Sequence, residues 1–291
     1  MKKLSFGLLL LMVLAIVSCD KDTDNNPDPV EEEELTNEEK AQELLLSLFS
    51  GDTSKVTMYV SANQYTQHNH RYADGRNALI SAVLDGDFAN TQLDIVRTLT
   101  DGDLVAIHSE QIHTNASSIV FDVFRFQDGL IVEHWDNVQE SQMENGSGHN
   151  MIDGTTTIED LDKTEINRSI VSDYITRVMI ENNYTLIPEY LAEDQNLIQH
   201  NPMMMDSLAG MLSMMDTLSE QGFAYQYETL HKTVAMGNFV LTISEGRYGN
   251  QSEATAFYDL FRLEEGKLRE HWDVIEAIAP DQDWQNQNGK F

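Results

Sequence analysis

Cysteine is almost missing from this chain: one residue in 291, at Cys19. Beyond it neither a disulfide framework nor a thiol nucleophile is available, so other side chains must carry any chemistry. Positive charge is scarce too. Eighteen Lys and Arg stand against 49 Asp and Glu, a formal net charge of −31, and no basic stripe interleaved with aromatics relieves it. A polyanion would be met against strong repulsion, which sets nucleic-acid partners aside. Long apolar runs are lacking as well, since Leu4 to Val17 is too short for a mature membrane span. Metal-ligand spacing is also poor: His68-Asn-His70 is not repeated in Gln199-His-Asn-Pro202, and neither a metal nor another cofactor is expected.

What the chain does contain is a repeat. Phe121 to Asp136 reads FDVFRFQDGLIVEHWD, and 137 positions later Tyr258 to Asp273 reads YDLFRLEEGKLREHWD. Alternating apolar and polar residues on either side of Gly129 and Gly266 predict a β-hairpin in each copy. A three-residue bulged loop with Gly in third place suits both copies and sets Phe126 opposite Leu130, hence Asp122 opposite His134. Asp122, Phe124, Phe126, Val132, His134 and Asp136 then share one face, and Arg125, Glu133 and Trp135 the other. With a two-residue turn Trp135 would instead join Asp122.

Smaller echoes agree: Gln67-His-Asn69 recurs as Gln199-His-Asn201, and Gly102 to Val105 as Gly237 to Val240. In each half helical spacing precedes strand alternation. Thr36 caps a first helix ended by Gly51, Ser54 to Val60 forms a second, and Asp74 caps a third; strands follow from Leu93. The order restarts with Ile166 to Val178, Leu186 to Leu191 and Ser207 to Leu218, then strands from Tyr225. The expected organisation is a domain over 36–140, a Gly, Ser and Asn-rich linker over 141–161, a second domain over 162–280 and a tail over 281–291.

The N-terminus resembles a bacterial lipoprotein signal: Lys2 and Lys3, the apolar run, then Ile16-Val-Ser-Cys19. The resemblance implies a signal peptide over 1–18, lipidation of Cys19 and anchoring in a Gram-negative cell envelope, at the outer membrane. Residues 19–35, acidic and nearly without apolar side chains, read as a disordered tether.

Three helices before a bent sheet, Gln-His-Asn before the third helix, and Asp-x-x-Arg with Glu-His-Trp-Asp in the closing hairpin resemble the SnoaL-like branch of the nuclear-transport-factor-2 (NTF2-like) superfamily. That resemblance implies an α+β fold of two tandem cones, each with three N-terminal helices on a curved, mixed or antiparallel sheet around a pocket. It implies sheet-to-sheet pairing of the two domains as an intramolecular pseudo-dimer, and an apolar small molecule as ligand. It also implies polyketide-cyclase or isomerase chemistry without metal or cofactor.

The catalytic candidates by that resemblance are Asp122, His134 and His68, and in the second copy Asp259, His271 and His200. Asn69, Phe124, Phe126 and Asp136, with Asn201, Phe261 and Asp273, are the candidate ligand-binding residues. Aldol or isomerase work needs a base beside a carbonyl and a donor for the enolate. A carboxyl in an apolar pocket beside a His can supply both. The alternative is a noncatalytic binding module, with Asp122 and His134 a structural cross-strand pair. Replacement of His108 by Ile243 and of His113 by Tyr248 leaves open a degenerate second copy.

Overall fold

Thr36 and Glu39 close a capping box at the start of the first helix: Thr36 Oγ1 accepts the Glu39 N–H at 3.2 Å and Glu39 Oε2 the Thr36 N–H at 2.8 Å. The structure is a computed structural model and describes residues 34–250 and 253–291. The signal peptide, Cys19 and nearly all of the tether lie outside them. Helices α1 (Asn37–Ser50), α2 (Ser54–Tyr59) and α3 (Arg76–Asp85) come first, with a two-residue strand β1 (Thr66–Gln67) between α2 and α3. Strands β2 (Gln92–Asp101), β3 (Leu104–Ile112), β4 (Ser117–Gln127) and β5 (Leu130–Glu140) follow. The second half repeats this with α4 (Thr164–Tyr174), α5 (Ile187–Tyr190), β6 (Ile198–Gln199), α6 (Ser207–Glu220), β7 (Tyr225–Met236), β8 (Phe239–Tyr248), β9 (Thr255–Glu264) and β10 (Lys267–Ala277). Past Tyr174 the helix widens into a π turn over Ile175–Ile180, which keeps Ile175 and Val178 in the core.

Each half is one α+β sheet of five strands, in the orders β1-β5-β4-β3-β2 and β6-β10-β9-β8-β7. Apolar side chains of α1, α2 and α3, among them Leu44, Val56 and Leu79, pack on Val105, Ile107, Phe124 and Phe126. Val171, Tyr174, Met211 and Leu218 pack likewise on Val240, Phe257 and Phe261. A third core joins the two sheets through Trp135, Phe121, Trp272, Tyr258 and Phe239. The three-core arrangement explains why strand residues are buried on both faces.

Several sequence expectations give way here. The hairpin turn has two residues, Asp128-Gly129 with both φ positive (51° and 74°), and Glu265-Gly266 repeats it (50° and 74°). Gln127 therefore faces Leu130, and Asp122 faces Asp136 rather than His134. An unpaired residue on the return strand, Val132 in one copy and Arg269 in the other, then bulges out. The bulge shifts the phase by one residue, so His134 returns to the face of Asp122 and Trp135 stays opposite. The third helix is capped at Gly75 and not by Asp74, whose carboxylate accepts the Gln67 N–H at 2.8 Å.

The stretch expected to be a linker is packed. Met151 is buried among the inter-sheet core residues, and Gly154 passes so close to Glu270 and His200 that no side chain would fit there. Among the described residues, no helix is long and apolar enough to cross a membrane.

Candidate functional site

Edge strand β1 decides which side chains meet. It pairs parallel with β5, setting Thr66 beside Glu133 and Gln67 beside His134. Alternation then sends Gln67 and Asn69 to the cavity face and His68 to the inter-sheet face. His68 stacks on Trp135, ring centroids 4.7 Å apart, and binds Glu133 Oε1 through Nε2 at 2.9 Å. His200 repeats this on Trp272 at 4.7 Å, with Nε2 3.0 Å from Glu270 Oε1. Neither histidine lines a cavity, which corrects their expected placement. Gln67 and Gln199 stand where the two histidines were expected, 3.0 and 2.9 Å from Nδ1 of His134 and His271. The motif was visible, but its facing could be known only from the pairing of β1.

In the first domain Asp122 Oδ1 lies 3.0 Å from His134 Nε2. Gln67 Oε1 also accepts the Asn69 backbone N–H at 2.9 Å, so this atom is the amide's oxygen and His134 Nδ1 must donate to it. Nε2 and Asp122 Oδ1 consequently share one proton, held either by the carboxyl or by the imidazole. Burial raises the Asp122 pKa, and the neighbouring Asp136 raises it further against the opposing pull of His134. Asp136 Oδ2 accepts from Asn69 Nδ2 at 2.6 Å. Asp122 Oδ2 is buried with no hydrogen-bond partner.

These groups form one wall of a cavity of about 190 Å³, whose other sides include Leu44, Leu48, Leu79, Phe88 and Phe124. Phe126 is packed beneath, in the core under the helices, and does not line it. His108 faces the other sheet, stacked on Phe121 at 4.1 Å.

The second domain has the same cluster in a different state. His271 Nε2 is 3.1 Å from Asp259 Oδ1, and Asn201 Nδ2 donates to Asp273 Oδ2 at 2.6 Å. The Tyr227 hydroxyl donates to both Asp259 oxygens, at 3.0 and 3.2 Å, leaving neither free. Burial drives the Asp273 pKa up to about 6, helped by Asp259 and opposed by His271 and Asn201. Phe261 lines this cavity, but only about 40 Å³ is left in it, room for no more than a few waters.

Strand register explains the difference. Tyr227 pairs with Gly246 where Leu93 pairs with Gln111, and Tyr225 pairs with Tyr248 where Thr91 meets His113. Tyr225 and Tyr227 take up cavity space where the first domain has Thr91 and Leu93, and Tyr248 packs behind Tyr225 with ring centroids 4.9 Å apart.

Each carboxylate–His–carboxylate group brings its ligand atoms within 4.8 Å. The donors do not fit a cation well. Both His134 ring nitrogens are engaged, and Lys290 Nζ already lies 3.7 Å from Asp136 Oδ1.

Fold and site define an α+β protein with two five-stranded sheets, one with an open proton-sharing pocket and one with its pocket nearly filled. No protein-family model matches the chain, nor does any curated protein. Solved structures similar to it include wild-type IdmH, a candidate polyketide cyclase from Streptomyces antibioticus (13% identity, 38% of this chain and 91% of that one, TM-score 0.31). A candidate ketosteroid isomerase from Kribbella flavida is similar at 17% identity over 40% of this chain and 84% of its own, TM-score 0.32. An NTF2-like protein from Burkholderia xenovorans is similar at 18% identity over 39% and 91%, TM-score 0.31.

Proposed function

We propose that the first domain binds a small, mainly apolar carbonyl compound and moves a proton on it, in the manner of an aldol cyclase or isomerase. The observation that carries this reading is the buried, unpartnered Asp122 Oδ2 at the wall of a cavity of about 190 Å³, with its other oxygen sharing a proton with His134. Asp122 is the base for a proton beside the carbonyl, its raised pKa bringing it closer to a weak carbon acid. His134 holds the carboxylate and takes up its charge change. Leu44, Leu48 and Phe124 form the apolar side of the cavity, and the developing charge would be met by fixed groups on the Asp122 wall. No metal or cofactor enters this scheme. The second domain serves as a fixed partner, its pocket narrowed by Tyr225 and Tyr227. The export reading belongs to the same proposal: a lipoprotein held by Cys19 in the cell envelope and facing the periplasm or the exterior.

The test is exchange of protons for deuterium beside the carbonyl of a panel of apolar ring ketones in D2O, followed by NMR. Asp122→Asn should slow exchange by about 10²–10⁴-fold, while Asp259→Asn leaves it unchanged. Ketones that raise the melting temperature of both Asp122→Asn and the parent protein, yet exchange no faster with the parent, would identify a noncatalytic binder.

A further inference from the structure

The segments after β5 and β10 are two copies of one device, and each serves the opposite domain. Asn145 and Asn286 are both buried, and the side-chain oxygen of each accepts the N–H two residues on. Each is followed three residues later by a Gly with positive φ, Gly148 at 86° and Gly289 at 77°. Asn145, which follows the first domain's last strand, donates to the Gln199 and Asn201 carbonyls of the second domain. Asn286, which follows the second domain's last strand, donates to the Asn69 and Tyr72 carbonyls of the first at 2.9 Å. His200 Nδ1 meets the Asn150 carbonyl at 2.9 Å and His68 Nδ1 the Gly289 carbonyl at 2.8 Å. The walls that carry Gln67, Asn69, Gln199 and Asn201 are thus each pinned in trans.

The second strap carries one more group. Lys290 is buried, its Nζ 2.7 Å from Glu276 Oε2 and 3.7 Å from Asp136 Oδ1. We propose that Lys290 is a positioning residue for the first domain's site, supplied by the second domain's C-terminal strap to hold Asp136 as a fixed carboxylate beside Asp122. The proposal deepens the reading above. Asp136 next to Asp122 is a like-charge pair across neighbouring strands, and a cation placed behind one of them lowers the cost of keeping it ionised in the same buried wall. Asn69 orients the other Asp136 oxygen by a hydrogen bond, while Oδ1, buried without a hydrogen-bond partner, has the Lys290 ammonium in front of it.

The other charged or titratable groups facing Asp136 are His134 on its own strand, His70 after β1, Tyr65 and Tyr72 on the α2–α3 segment, and Tyr258 across the inter-sheet core. The tyrosine pKa values are all raised by burial, so those hydroxyls stay neutral, and burial together with Lys290 lowers that of His70. Glu276 neutralises part of the ammonium, and its Oε2 also accepts the Val138 N–H at 3.1 Å, tying the second domain's last strand to the strand that carries Asp136.

The test needs no ligand, so its failure is separable from failure of the exchange assay. In full-length protein with ¹³C-labelled Asp, the Asp136 carboxyl titration should move up by about one pH unit in Lys290→Met and return towards the parent value in Lys290→Arg. Lys290→Met should also shift the acid limb of ketone exchange in the same direction, which a purely structural lysine would not do. An unmoved Asp136 midpoint, or Lys290→Arg behaving as Lys290→Met, overturns the proposal. Should the neutral variant not fold, the Lys290 ¹⁵Nζ signal of the parent must show a step at the Asp136 midpoint, and its absence overturns the proposal equally.

Discussion

Gln67 Oε1 lies 3.0 Å from Nδ1 of His134 and 2.9 Å from the Asn69 backbone nitrogen, and so fixes which ring nitrogen carries a permanent proton. Removing that acceptor should release the ring. In Gln67→Leu, ¹⁵N spectra of His134 should change from a single Nδ1-protonated form to a mixture of tautomers, and stability should fall by about 1–3 kcal/mol for the donors left unpaired. A spectrum identical to the parent's would mean that Asp122 alone sets the ring.

Glu270 is buried between Arg262 Nε at 2.7 Å and His200 Nε2 at 3.0 Å. Burial pushes its pKa up, but hydrogen bonds from His200, Arg262 and Thr155 outweigh it and hold the carboxyl at about 2. A depressed folded value means stability that is present above about pH 4.5 and lost as pH falls towards 2. Glu270→Gln takes the shared carboxylate from Arg262 and His200, which keep Glu264 and Asp153 respectively, and should cost about 1.5–3 kcal/mol at pH 7. Urea unfolding across that pH range should also show a flatter acid limb; an acid limb as steep as the parent's would place the lost protons elsewhere.

Asp273 has the opposite sign. Its folded pKa near 6 exceeds the ordinary carboxyl value of 3.8, so its favourable share is present below about pH 3.8 and lost as pH rises through 6. Asp273→Asn, which keeps an acceptor for Asn201, should therefore gain on the order of 2 kcal/mol at pH 7 and nothing near pH 3. Equal gains at both pH values would point to packing and not to the buried charge.

Two cations stack on a tryptophan of the opposite domain and should differ in weight. Arg97 of the first domain lies over the Trp272 ring at 4.2 Å and donates to the carbonyls of Ile152, Asp153 and Thr155. Lys232 of the second lies over Trp135 at 4.5 Å, and burial lowers its pKa. Arg97→Ala strands three acceptors and should cost about 3 kcal/mol or more. Lys232→Ala loses a cation–π contact of about 1 kcal/mol. Comparable losses in chemical denaturation would mean that the carbonyl contacts of Arg97 are not what it contributes.

Much of this was already written in the chain. The doubled hairpin implied two like sheets, alternation along β4 put Asp122 and Phe124 on one face, and the break over Gln127-Asp128-Gly129 put a hairpin loop there. These are local properties, set by a side-chain period of two and by the φ that Gly tolerates. The turn is one residue shorter than that pattern predicts, yet His134 still reaches the face of Asp122, because the bulge at Val132 restores the phase the shorter turn shifts.

What only the tertiary structure decided depends on partners far away in sequence. Gln67 takes the place at the cavity expected of His68 because β1 joins the sheet parallel to β5, an edge pairing that two residues of sequence cannot announce. The stretch expected to be a linker and the tail beyond β10 became reciprocal straps because each finds its hydrogen-bond acceptors in the other domain. And two nearly identical clusters differ in what they can do, because Tyr227 closes over Asp259 while Leu93 leaves Asp122 open. Local sequence fixes which way a side chain points along its strand; only packing fixes whether anything fills the space in front of it.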